Sequence, residues 1–401
     1  MYTISRFNIY FLIFIYPLLP IIKEHSLILG NIIEGGILLG LFLNLIICKS
    51  ASGWKISVHK KTFLITLLLI IETIFYLSDF FDTEVYDVFS ASRVFLFYIF
   101  LIGNLEKLIS EDNIKCDTIA KTLAMVSILF AVGAIFQFVI PDVFLSVHAP
   151  NITVDLRSKS DFIAFSFFNR VFSFLNDPNI FGVFSAFCFF ICFKHYRENN
   201  NKSPIFLIAI VGNILGVILS QSRTAIILIG IFFILQFLLS LFAKKKIKPL
   251  QLFLILLVLS VFAYLILINM ESVSEFLRVD TILTGNGRVA NNVDKVNYLI
   301  DQELFGLLLG NGMGIERDII FENSYLLLIY QTGILGFLLF IMASIFLLGK
   351  SLNTIKMLPI VLCYLSAAYV GDYILIPQIT YLVIIAIFIV RYSRDRSVVK
   401  K

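Results

Sequence analysis

Long uninterrupted apolar runs dominate this chain and restrict its fold more than any other feature. A helix needs roughly 20 residues to cross the hydrocarbon core of a bilayer. Apolar runs of that order recur at 6-22, 26-48, 62-78, 89-105, 119-140, 178-195, 204-220, 223-243, 250-269, 323-349, 357-371 and 374-391. They predict an all-α polytopic membrane protein with about twelve transmembrane helices. The last two runs are short and flank Gly371-Asp372, so a single re-entrant element is an alternative for them.

The composition agrees with lipid as the main solvent. Hydrophobic residues make up 59% and charged residues 15%, against about 25% charged in soluble domains. The 42 Phe and 16 Tyr suit lipid-facing and interfacial surfaces. The net charge of +5 is spread through loops, which argues against nucleic acid as a partner. Arg6 precedes an apolar run that ends at Lys23-Glu24 without a small-residue cleavage site, which predicts a retained first helix and not a signal peptide. Cys48, Cys116, Cys188, Cys192 and Cys363 lie in spans or in loops assigned to the inner side, so no disulfides are expected. Cys188 and Cys192 share a face at i, i+4 spacing and read as packing residues.

Charge sets the orientation. Lysine and arginine concentrate in 49-61 (Lys49, Lys55, Lys60, Lys61), in 194-203 (Lys194, Arg197, Lys202), in 243-249 (Lys244, Lys245, Lys246, Lys248) and in the tail (Arg391, Arg394, Arg396, Lys400, Lys401). Alternate counting puts all four on one side, which the positive-inside bias makes cytoplasmic, with both termini. Two loops on the opposite side are long, 141-177 and 270-322, and loops of this length usually have a function. The second contains an amphipathic stretch, Val289-Leu309, opened by Thr284-Gly285-Asn286-Gly287, which predicts one helix lying at the membrane surface. The two halves show no internal repeat.

On that topology Arg93, Arg157, Arg170, Arg223, Arg278, Arg288 and Arg317 all fall outside, with only Lys23, Lys159 and Lys295 beside them. Snorkelling to headgroups accounts for a single arginine, but it does not select Arg over Lys. The guanidinium fork suits bidentate capture of phosphate. These arginines are therefore candidate ligands of an anionic substrate on the extracytoplasmic face. Arg223 ends Ser220-Gln221-Ser222-Arg223, a hairpin between two spans, where the next helix's exposed N–H groups also favour an anion. Arg93 lies near the outer end of the fourth span.

Other candidates are polar groups at span starts. Asn176-Asp177-Pro178-Asn179 reads as an N-cap followed by proline at the first helical position; alternatively Asp177 orients Arg170 or a sugar hydroxyl. Gly310-Asn311-Gly312-Met313-Gly314 lacks the strand and the Lys-Ser/Thr of a P-loop and reads as a turn that approaches a ligand closely. Glu322-Asn323-Ser324-Tyr325 opens the tenth span. Glu322 is either a first-turn carboxylate complementing the helix dipole or a general base for a sugar hydroxyl. The acidic loop Asp79, Asp82, Glu84, Asp87 reads as solvated, with divalent-metal binding as its rival. No HExxH or Cys/His metal spacing occurs, and no metal or cofactor is expected. Of His25, His59, His148 and His195, His148 is a weak candidate base.

Taken in order, these motifs resemble the O-antigen polymerase and ligase superfamily of bacterial surface-polysaccharide assembly. The matching segments are Asn169-Arg170 with Asp177-Pro178-Asn179, then Ser220-Gln221-Ser222-Arg223, Gly287-Arg288, Gly310-Asn311-Gly312-Met313-Gly314, and Glu322-Asn323-Ser324-Tyr325 leading into Gly333-Ile334-Leu335-Gly336. They cover about residues 165-350; the first five spans match in hydropathy only. The resemblance implies a GT-C-like glycosyltransferase in the inner membrane with its active site facing the periplasm. It implies that arginines, best matched by Arg170, Arg223 and Arg288, hold the pyrophosphate of an undecaprenyl-linked glycan. The ligase branch has a His-Asn pair where this chain has Glu322-Asn323, which favours a Wzy-type polymerase. The expected catalytic residues are Glu322, Arg288 and Arg223. Arg170, Arg93, Arg157, Arg317, Arg278, Asp177, Asn179, Asn323 and Tyr325 are the expected substrate-binding set. The expected partners are the undecaprenyl-pyrophosphate-linked substrates, membrane lipids and a chain-length regulator. The rival functions are O-antigen ligase and flippase for the lipid-linked repeat. A transporter should show short loops and paired half-repeats, unlike this chain.

Overall fold

The computed structural model describes residues 2–52, 66–70, 72–73, 85–110, 114–148, 170–175, 177–198, 203–242, 288–312, 323–349, 357–371, 373–374 and 376–393. Among these residues the regular structure is entirely helical. Among the described residues five helices are long and apolar enough to cross a membrane: Arg6–His25, Leu27–Leu45, Cys116–Val139, Pro178–Arg197 and Ser324–Ser344. Four more apolar helices are shorter. The protein is a helical membrane protein on these grounds. The predicted run at 250-269 lies outside the described residues, and of 62-78 residues 66–70 and 72–73 are described, all helical.

The chain divides into two compact units. The first comprises Met1–Ile56, Leu96–Leu228 and Ile376–Lys401. It opens with α1 (Tyr2–Ile15) and α2 (Leu19–His25), joined by a 3-10 turn at Tyr16–Leu18. Pro17 and Pro20 have no N–H to continue the helical ladder, which accounts for the tightened turn. Ser26 is extended and its Oγ accepts from Leu29 N at 3.2 Å, starting α3 (Leu27–Ser52). An ion pair between Lys23 and Glu34 closes this hairpin. The Asn104 side chain of α4 (Val85–Ser110) donates to Leu41 O at 2.9 Å, and Asn8 donates to Asn44 at 3.2 Å. Tyr16 stacks on Phe97 with ring centroids 4.1 Å apart.

The centre of this unit is α7 (Pro178–Glu198), which buries every residue from Phe181 to Cys192. An all-apolar helix could equally face lipid, but this one is enclosed by protein. α5 (Cys116–Val139), α8 (Pro204–Ser220) and α14 (Pro377–Ser393) supply it. Lipid provides no hydrophobic drive between helices, so close packing of small residues has to hold them. On α8 those residues recur every fourth position. Gly212 faces Ala131 of α5, Gly216 faces Ser185 and Phe181 of α7, and Ser220 faces Gly182 of α7. A Cβ on Gly182 would come within 2.5 Å of Ser222 Cβ. Asn213 adds a polar tie, donating to Ser127 Oγ at 3.2 Å. The other faces of α3, α5 and α8 expose large apolar side chains such as Ile28, Ile32, Val132, Phe138, Ile208 and Val211, as a lipid-facing surface requires. α6 (Pro141–His148) follows α5 directly, so the stretch predicted as loop 141-177 begins as a helix. Pro141 at its first position explains the restart.

The second unit comprises Ser57–Phe95 and Ile229–Leu375. α9 (Arg223–Phe242) begins in the first unit and ends in this one. The stretch 289-309, predicted as one helix, is two: α10 (Arg288–Ile300) and α11 (Leu304–Leu309), parted at Asp301-Gln302-Glu303. Glu303, extended at φ −56 and ψ 147, starts the second. α10 packs on a neighbouring helix. Its Tyr298 and Leu299 pack on Leu327 and Tyr330 of α12 (Ser324–Gly349). The runs 357-371 and 374-391 fold as separate helices, α13 (Leu358–Val370) and α14.

α12 is broken at Gly333, where φ is 68 and ψ 179. A break within an apolar helix leaves backbone groups that lipid cannot satisfy. Residues 310–312 satisfy them: Asn311 N donates to Tyr330 O at 2.8 Å and Gly312 N to Gln331 O at 2.9 Å. The Asn311 side chain also donates to Gln302 Oε1 at 3.1 Å, tying the α10–α11 junction to the break. The fit needs three glycines. Gly310 and Gly312 have φ of 84 and 87, and a Cβ on Gly310 or Gly333 would run into the opposing backbone. Gly310, Asn311 and Gly312 of the glycine-rich turn thus pack on this helix break, and Met313 and Gly314 lie outside the described residues.

Gly333→Ala should therefore lower stability by about 2 kcal/mol or more, read as thermal unfolding in lipid nanodiscs. Gly35→Ala, at a helical glycine with open space around its Cβ position, should be neutral or stabilising by up to about 1 kcal/mol.

Candidate functional site

Arg170 joins two helix ends in the first unit. Its Nη2 donates to Asn179 Oδ1 at 2.7 Å, on the first turn of α7. Its Nε donates to Ser220 O at 3.2 Å, at the last residue of α8. The terminal carbonyls of α8 have no intrahelical donors, and a cation there complements the dipole. Val171 N adds a bond to Leu219 O at 3.1 Å.

The segment after Arg170 is irregular yet buried. Ser173 has φ of 52, and Val171, Phe172, Ser173 and Leu175 are all buried. Its amides are met by one side chain of α5: Gln137 Oε1 accepts from Phe172 N at 3.1 Å and from Ser173 N at 2.8 Å. Ser173 Oγ donates to Phe130 O at 2.7 Å, and Phe174 packs edge-on against Phe130. Gln137 thus holds the turn that presents Arg170. Sequence reasoning missed it; a lone glutamine near the end of an apolar run was its only signal.

Asp177 Oδ1 accepts from Asn179 N at 2.6 Å and from Ile180 N at 3.0 Å, the geometry of an N-cap with Pro178 at the first helical position. Asn179, and not Asp177, bonds to Arg170. The Ser220–Arg223 hairpin turns through Gln221, in the left-handed region at φ 49, and Ser222 caps α9, its Oγ accepting from Ala225 N at 3.4 Å. Arg223 is then the first residue of α9, half-buried. A cation at a helix N-terminus opposes the dipole by roughly 0.3–1 kcal/mol. The structure thus joins Arg170, Asp177, Asn179 and the Ser220–Arg223 hairpin at one end of the bundle. His195 of α7 meets Asp117 of α5 at 3.0 Å at the opposite end.

In the second unit Asn323 caps α12, its Oδ1 accepting from Tyr325 N at 2.9 Å and from Leu326 N at 3.3 Å. Ser324 Oγ donates to Gly371 O at 2.6 Å and accepts from Ile374 N at 3.1 Å. Tyr325 OH donates to Leu365 O at 2.9 Å. These motif residues fix the start of α12 against the end of α13. Arg288 is the first residue of α10, and Arg93 lies within α4; only their backbones are described. Arg157, Arg278, Arg317 and Glu322 lie outside the described residues, as does the acidic loop Asp79, Asp82 and Glu84. Asp87 is in α4 and His148 ends α6, again as backbone only.

Glu72 is a further candidate that sequence reasoning passed over. Its Oε1 is buried and has no hydrogen-bond partner among the described residues. Leu69, three residues earlier, packs beside Gly336 of α12, close to the break. A carboxylate within the apolar run 62-78 was its signal, because ionisable groups at membrane depth are expensive and usually functional. Among the described residues no group of three or more His, Cys, Asp or Glu is arranged to hold a metal ion. No protein-family model matches the chain, and no curated protein matches it.

Two outcomes follow from this geometry. Gln137→Leu, which strands two buried amides, should destabilise the protein by about 2 kcal/mol or more in thermal unfolding. Asp177→Asn preserves the cap and should leave stability within about 0.5 kcal/mol; full retention of activity in that variant would remove Asp177 from consideration as a base.

Proposed function

We propose that this chain is a polysaccharide polymerase of the Wzy type. It joins undecaprenyl-pyrophosphate-linked oligosaccharide repeats into O-antigen or a related surface polymer on the periplasmic face of the bacterial inner membrane. The fold under this reading is GT-C-like, with about twelve spans and both termini cytoplasmic. A hydroxyl of the acceptor's non-reducing sugar attacks the anomeric carbon of the donor glycan. The bond to undecaprenyl pyrophosphate breaks, and that group leaves with the bonding electron pair. Arg170, Arg223 and Arg288 stabilise the charge that develops on it. Glu322 or Asp177 takes the hydroxyl proton. A chain-length regulator is the expected partner.

One observation carries the reading. Arg170 and the Ser220–Arg223 hairpin come from motifs fifty residues apart, and a guanidinium-to-carbonyl hydrogen bond joins them. Arg170 is tied to the carbonyl end of the hairpin whose last residue, Arg223, opens α9. That arrangement suits a built anion site better than scattered snorkelling side chains.

Deleting the gene in its native host should leave surface lipopolysaccharide with core bearing a single repeat unit and no ladder. Bare core would indicate a ligase or a flippase, separated by whether long polymer or single units accumulate on the lipid carrier. In the complemented strain, Arg223→Ala should abolish long chains, with polymerisation reduced about a hundredfold or more. Arg223→Lys should restore little, because an ammonium group lacks the bidentate fork. Normal chain length in both variants would remove Arg223 from the site.

A further inference from the structure

Glu72 stands within the apolar run 62-78, one helical turn beyond Leu69. Leu69 Cδ2 and Thr332 Oγ1 both lie against Gly336 of α12, 3.2 and 2.5 Å from the point where a Cβ on that glycine would be. The break at Gly333 is three residues earlier on the same helix. Oε1 of Glu72 is buried and accepts no hydrogen bond among the described residues. The hydroxyls on this contact do not serve it. Thr73 Oγ1 donates to Leu69 O at 2.7 Å, and Thr332 Oγ1 donates to Leu328 O at 2.8 Å. Both residues are buried, and each hydroxyl has spent its one proton inside its own helix. What they still offer is lone pairs. α12 brings no charged residue to the contact. Its titratable side chains are Tyr325, whose hydroxyl donates to Leu365 O, and Tyr330, which packs on Tyr298 and Leu299.

An ionised carboxylate without a counter-charge is expensive in a medium of low dielectric, and it persists there only when something neutralises it. We infer that Glu72 binds a small monovalent cation, a proton or a sodium ion, beside the break in α12. Glu72 supplies the charge. The lone pairs of Thr73 and Thr332 are the further oxygens on the same contact, and none of them competes as a donor. A discontinuous helix is where membrane proteins commonly hold such ions. A divalent ion asks for several carboxylates, and among the described residues no group of three or more His, Cys, Asp or Glu is arranged to hold one. Occupancy bears on α12, because Leu69 of the same turn touches it at Gly336. The inference does not rest on the polymerisation reading.

The experiment uses the full chain in phosphatidylcholine nanodiscs, treated near neutral pH with dicyclohexylcarbodiimide in choline chloride or in sodium chloride. This apolar reagent adds to a protonated carboxyl group and rearranges to a stable N-acylurea, and peptide mapping by mass spectrometry reads the adduct at Glu72. Thermal unfolding is measured in both salts on untreated native chain and on Glu72→Gln, which is neutral without a ligand. An adduct at Glu72 of equal extent in the two salts identifies the proton. An adduct that falls about tenfold or more in sodium chloride identifies sodium, which displaces the proton by mass action. A rise of the native unfolding midpoint in sodium that Glu72→Gln lacks also identifies sodium. No adduct in either salt, with a midpoint that sodium leaves unchanged or raises equally in Glu72→Gln, would overturn the inference, because Glu72 would then be ionised and without a ligand. Where Glu72→Gln fails to fold, the labelling and the sodium response of the native chain decide.

Discussion

Lipid offers no hydrogen bonds, so wherever a helix of this protein ends or breaks within an apolar layer, another part of the chain has to complete it. The break in α12 at Gly333 is completed by the amides of Asn311 and Gly312. The irregular turn after Arg170 is completed by Gln137. The end of α8 is completed by Arg170, and the end of α13 by Ser324. Each repair comes from far along the chain, and together they fix positions that the spans alone would leave undetermined. Small residues do the complementary work of bringing helices close, as Gly182, Gly212 and Gly216 do around α7.

These repair points coincide with the segments that carry the sequence motifs. Asp177, Ser222 and Asn323 are caps. They present Asn179, Arg223 and the start of α12 in fixed orientations. Arg223 stands on the first turn of α9, and the Asn179 amide faces Arg170.

The helices were legible from hydropathy, and most of the runs within the described residues are helical. The topology of the hairpin at Ser220–Arg223 was legible as well, since three residues between spans leave room only for a tight turn. Other features were not. Val289–Leu309 keeps its amphipathic pattern through Asp301-Gln302-Glu303, so periodicity could not show that two helices meet there. The glycines at 310, 312 and 333 were visible, but their meeting depends on a long-range contact that local sequence does not encode. The pairing of Arg170 with Asn179 in place of Asp177 turns on which acceptor the helix N-terminus claims first, and the cap claims the carboxylate. Gln137 was missed because a single polar residue in an apolar run has no spacing to read.

The most direct test of the account is reconstitution. Purified protein would be placed in liposomes with the lipid-linked repeat unit as sole substrate, without nucleotide sugar and with a metal chelator present. The measurement is the release of undecaprenyl pyrophosphate against the number of glycosidic bonds formed. The account predicts polymer, with one carrier pyrophosphate released for each bond. Movement of repeat units across the bilayer with no bond formed and no carrier released would contradict it.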